Sequence, residues 1–133
     1  MKLQADRIAG QNAIARHSGE GVMVNGVEYT RSVVVPWQGQ VTAWPVHDFA
    51  ALGAGHFAAL ADLKPELVIF GSGSRLRFPP SAWLRPLIEQ RIGFETMDTA
   101  AACRTYNVLL AEGRSVVAAL LFEAAEAAPP PKG

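Results

Sequence analysis

The segment Pro65-Glu66-Leu67-Val68-Ile69-Phe70-Gly71-Ser72-Gly73 limits what this chain can fold into more than any other part of it. Leu67–Phe70 is an uninterrupted apolar run bounded by turn residues, the pattern of a strand covered on both faces. Two glycines close behind it place a tight turn at the strand's carboxyl end. Downstream, the period alternates between helix and strand. Ser81–Arg91 reads as a helix with Leu84, Leu87 and Ile88 on one face and an Arg85–Glu89 pair one turn apart. Pro86 would cost a backbone hydrogen bond past the first turn, so this helix is expected to start late or to kink. Gly93–Met97 reads as the next strand. Asp98 or Thr99 then caps a helix that runs to Glu112, with Gly113 placed to close it and Ala102, Tyr106 and Leu109 as its core stripe. Ser115–Phe122 is a final buried strand. Strands alternating with helices over short connections imply parallel pairing through crossovers.

Residues 1–46 carry strand signals only. Asn25-Gly26 between Val22–Val24 and Val27–Tyr29 is the preferred pair for a type I′ hairpin, since both positions need positive φ. Ser32–Val35 and Val41–Trp44 follow around a second loop, and Ile14–His17 is a weaker strand before the first. This half is expected to be an antiparallel meander that extends the parallel sheet or covers one face of it. Asp48 is placed to cap a short helical stretch interrupted by Gly53 and Gly55, resuming at His56–Leu63.

The 133 residues allow one domain, expected over 1–123, followed by a Pro-rich tail over 124–133 expected to be disordered. Twelve basic and twelve acidic side chains cancel, without the basic stripe that nucleic-acid binding requires. Cys103 is the single cysteine, which excludes an internal disulfide and a cysteine zinc site. The longest apolar run has seven residues, far below the ~20 that span a bilayer. The chain opens on neither a signal peptide nor a transit helix. A soluble, cytoplasmic protein without membrane insertion is expected.

The turn Gly71-Ser72-Gly73 could present backbone N–H groups to an anion at a strand's carboxyl end, with Arg75 and Arg77 supplying charge. It matches no established cradle. Leu76 stands where a dinucleotide fingerprint needs its third glycine, no Gly-Lys-Ser/Thr follows, and Phe70 breaks the nucleophile-elbow pattern. Arg104 and Asn107, three apart on one helical face, could hold a carboxylate or tie their helix to the glycine turn. The candidate ligand-binding set is therefore Gly71, Ser72, Gly73, Arg75, Arg104 and Asn107. Cys103 has no histidine following it and reads as a buried thiol. His47, Asp48 and His56 are poorly spaced for a metal. No catalytic residue, metal or cofactor is called for. Trp37 and Trp44 flank a loop and fit either a contact patch or core packing.

Three stretches together carry a resemblance: Pro65–Gly73, then Gly93-Phe94-Glu95-Thr96-Met97-Asp98-Thr99, then Ala102-Cys103-Arg104-Thr105-Tyr106-Asn107-Val108-Leu109. In order and spacing they resemble the uncharacterised single-domain α/β family that includes assembly factor 3 of mitochondrial respiratory complex I and many small bacterial proteins. The resemblance implies a three-layer α/β fold with a mixed central sheet. It implies shared positions at Gly71, Gly73, Arg104, Thr105, Tyr106 and Asn107, without an assigned chemical role. It also implies a non-catalytic interaction or assembly role with a protein partner. The alternative is a small-molecule or anion-binding protein, or an enzyme, working through the glycine turn. The sequence leaves the oligomeric state open.

Overall fold

The computed structural model describes residues 10–123, so the tail at 124–133 lies outside the described residues. Among them the strands are β1 (Ile14–Ser18), β2 (Gly21–Val24), β3 (Val27–Tyr29), β4 (Val33–Pro36), β5 (Thr42–Ala43), β6 (Leu67–Gly71), β7 (Gly93–Met97) and β8 (Val116–Leu120). The helices are α1 (Ala54–Ala61), α2 (Arg85–Glu89) and α3 (Thr99–Ala111). The central sheet is mixed and five-stranded, in the order β5-β4-β8-β6-β7. β6 pairs in parallel with β7 and with β8, and β4 runs antiparallel to β8 and β5.

The first half of the chain does both things expected of it, but not as one meander. β1, β2 and β3 form a separate antiparallel sheet, while β4 and β5 join the central one. Asn25 and Gly26 turn the β2–β3 hairpin with φ of 54° and 80°, as a type I′ turn demands.

Strand alternation sorts the core into two clusters, one on each side of the central sheet. On one side, Val33, Val35, Ile69, Val116, Ala118 and Leu120 meet α3 through Ala102, Cys103, Tyr106 and Leu110, and meet the small sheet through Ile14, Val22 and Val24. On the other, Val34, Val68, Phe70, Val117, Ala119 and Leu121 meet Phe57, Leu60 and Leu87 of α1 and α2. That side is aromatic: Phe57 has the rings of Phe70, Trp44 and Phe94 at 5.5–5.9 Å in edge-to-face contact and Trp83 stacked at 6.2 Å. Trp44 is therefore core, and Trp37 is half-buried between the two clusters.

The second helix starts late, as expected, and two apolar stripes need correction. Residues Ser81–Leu84 form a 3-10 turn, and α2 begins only at Arg85, which puts Pro86 in the first turn, where its missing N–H has no intrahelical acceptor to lose. So short a helix buries only Leu87, leaving Ile88 61% exposed. In α3, Cys103 and Leu110 join the buried stripe and Leu109 is only half-buried. Asp98 is the cap, accepting from Ala101 N at 2.9 Å, and Asp48 caps the 3-10 turn Phe49–Ala51 in the same way through Ala51 N.

A buried polar knot joins the layers. The Tyr106 hydroxyl lies 2.8 Å from the carbonyl of Asn12 and 3.0 Å from that of Pro36. The Asn12 amide donates to Pro36 O and Gly39 O and accepts from Asn25 Nδ2. Helix α3, the end of β4 and the β2–β3 turn are thereby fixed to one another.

Candidate functional site

The chain leaves β6 for α2 on the aromatic side of the sheet and leaves β7 for α3 on the opposite side. Open α/β sheets bind ligands at such a switch point, outside the carboxyl ends of the strands. Here that position holds the glycine turn, and the turn is stitched to its surroundings. Ser72 N donates to Met97 O at 2.8 Å, and Gly73 N donates to Thr99 Oγ1 at 2.9 Å. Thr99 also donates twice: its N–H to Gly73 O at 2.9 Å and its hydroxyl to Leu121 O at 3.0 Å. The Ser72 hydroxyl sits 2.8 Å from Arg75 O and accepts from Arg77 N at 3.0 Å.

Arg77 is the arginine that serves the turn. Its guanidinium donates to Ser72 O at 2.7 Å, pairs with Glu123 at 2.8 Å and lies 4.8 Å over the Phe49 ring. Glu123 also accepts from Phe49 N at 3.2 Å. The glycines answer to this packing. A Cβ on Gly71 would meet Thr99 Cα and Oγ1 at 3.0 Å, and one on Gly73, whose φ is +106°, would meet Arg77 Nη2 at 2.7 Å.

The six residues singled out from the sequence are not brought together. Gly71, Ser72 and Gly73 share one spot, whereas Arg75 and Arg104 are exposed and in no ion pair among the described residues. Asn107 pins α3 to the small sheet instead of to the glycine turn: Oδ1 accepts from Ile14 N at 2.9 Å and Nδ2 donates to Ile14 O at 2.8 Å. The helix is tied to the turn by Thr99, a residue the sequence offers only as an alternative cap. Nothing in the sequence prefers Arg77 to Arg75, since residues two apart share a face of an extended chain.

Beside the turn lies a partly open cleft of about 280 Å³, lined by Ser18, Ser74, Asp98, Thr99 and Glu123 among others. Its carboxylates are engaged, Asp98 as helix cap and Glu123 with Arg77. Cys103 is fully buried on α3, and burial pushes its thiol up to about 12 against a smaller opposing pull from the Arg104 charge. Alkylation by iodoacetamide near pH 8 should therefore proceed only through unfolding, at a rate that rises with denaturant. Fast labelling of the native protein would contradict this environment. Burial likewise raises the Tyr106 phenol and keeps it a donor. Among the described residues no group of three or more His, Cys, Asp or Glu could hold a metal ion. No described helix is long and apolar enough to cross a membrane.

Residues 14–121 match the model of a protein family of unknown function, DUF498/DUF598. The bovine NADH dehydrogenase [ubiquinone] 1 alpha subcomplex assembly factor 3 is 32% identical over 123 residues, which is 90% of this chain and 62% of that protein. This chain thus spans less than two thirds of the length of that relative. A crystal structure of a Bordetella parapertussis protein superposes with a TM-score of 0.82 at 36% identity, covering 88% of this chain and all of that one. A solution structure from Bordetella pertussis, described as a Mth938-like domain, gives 0.80 at 31% identity, covering 92% and 93% of the two chains. The α/β fold is the one these neighbours share. The match over most of its length makes this chain a member of the DUF498/DUF598 family.

Proposed function

We propose that the domain over 1–123 is a non-catalytic protein-interaction module that assists the assembly of a respiratory complex from the cytoplasm. One observation carries the choice. The glycine turn, the part of the chain most like a ligand cradle, spends the N–H groups of Ser72 and Gly73 inside the fold. Glycine identity there is accounted for by the approach of Thr99 to Gly71 and by the positive φ of Gly73. The name of the bovine relative, an assembly factor, supports the same reading at 32% identity.

Deleting the gene in the native host and resolving its membranes on native gels tests the proposal. The expected result is loss of assembled NADH dehydrogenase while its individual subunits are still made, restored by the intact gene. A normal level of assembled enzyme would overturn it. The cleft beside Ser74 favours a second reading, a small anion or nucleotide bound at Gly71-Ser72-Gly73. A ligand present at a hundred times its dissociation constant would add about 2.7 kcal/mol of stability. The interaction reading expects no thermal shift with phosphate, sulfate or nucleotides.

A further inference from the structure

The segment after the glycine turn alternates like an extended chain. Pro79 is buried, and Arg77 is turned in toward Ser72, Glu123 and Phe49. Leu76, Phe78 and Pro80, on the other parity, are exposed, Leu76 by 50% and Phe78 by 69%. Phe78 is the most exposed large apolar side chain described. Of the four arginines over residues 74–92, Arg77 pairs with Glu123 and Arg85 with Glu89. At this loop that leaves Arg75, which is exposed and in no ion pair among the described residues.

From these observations we propose that the Arg75–Pro80 loop is a peripheral docking tip for an anionic bilayer surface. Phe78 and Leu76 enter the interfacial region while Arg75 lies among the lipid phosphates. Two protruding apolar side chains offer far less area than the ~800 Å² per partner of a stable protein interface. A bilayer needs no complementary pocket, and it takes up apolar tips flanked by positive charge. Arg77 holds the loop from beneath, so little conformational freedom is left to lose on docking. No spanning segment is involved. The inference stands on the exposure and charge of this loop, apart from the assembly reading, and either can fail alone.

Flotation of the full chain with unilamellar vesicles tests it, comparing phosphatidylcholine alone with phosphatidylcholine containing phosphatidylglycerol. Binding is expected only to the anionic vesicles and should weaken as salt rises. Arg75→Ala should reduce the partition coefficient about fivefold. Phe78→Ser should reduce it roughly tenfold. Both positions are exposed, and circular dichroism will show that the variants fold. Failure to float with either lipid would overturn the proposal, as would Phe78→Ser binding like the parent. Sedimentation equilibrium is the companion measurement: a parent that self-associates and a Phe78→Ser variant that is monomeric would make the loop a protein contact and overturn it too.

Discussion

Thr99→Val should destabilise the protein by about 4 kcal/mol, although it changes the side-chain volume hardly at all. The Thr99 hydroxyl accepts from Gly73 N and donates to Leu121 O, and both bonds are buried. Valine fills the same space and leaves a donor and an acceptor stranded, at about 1–3 kcal/mol each. Thr99→Ser keeps the hydroxyl and loses one methyl, so about 1 kcal/mol is expected. Urea unfolding of the three proteins, with comparable slopes, gives the comparison directly. A Thr99→Val midpoint close to that of Thr99→Ser would mean that the stitch between β6, α3 and the segment after β8 is not what holds the switch point closed.

Phe57→Ala is the second large effect, about 3–5 kcal/mol. Phe57 is fully buried at the centre of the aromatic side, with Trp44, Phe70, Phe94 and Trp83 around it. Rigid neighbours on four sides limit how far the site can collapse, which places the cost high in the range. Near-ultraviolet circular dichroism should lose intensity at the same time, because Trp44 and Trp83 both line the cavity left behind. A loss below about 1 kcal/mol would show that α1 repacks freely onto the sheet, and that the aromatic cluster contributes shape more than stability.

Much of this architecture is written locally and can be read locally. Asn25-Gly26 names its own turn because two consecutive positive φ angles are tolerated by few residue pairs. Leu67–Phe70 announces burial on both faces, and β6 is indeed flanked by strands on both edges and by helices above and below. Partner choice is less legible. Nothing in Val22–Val24 or Val33–Val35 says that the first belongs to a separate sheet and the second to the centre, since both are short valine runs and pairing is decided by distant strands. The glycine turn shows the same limit. Its backbone geometry was apparent from two glycines, but the partners of its amides come from Met97 and Thr99, a strand and a crossover away. Asn107 reads as holding either a carboxylate or the glycine turn for the same reason: its partner, the backbone of Ile14, lies at the other end of the sequence and leaves no local trace.

Strand β8 is buried at every residue and sits between β4 and β6, pairing with one antiparallel and with the other parallel. During synthesis this has a cost in order of events. β4, four buried residues long, leaves the ribosome long before its main partner exists. A nascent chain that stops short of Val116 carries both β4 and β6 with an unsatisfied apolar edge facing the gap that β8 would fill. Folding of the central sheet therefore waits for β8, and a chain that stops short of that strand is the form most in need of a chaperone.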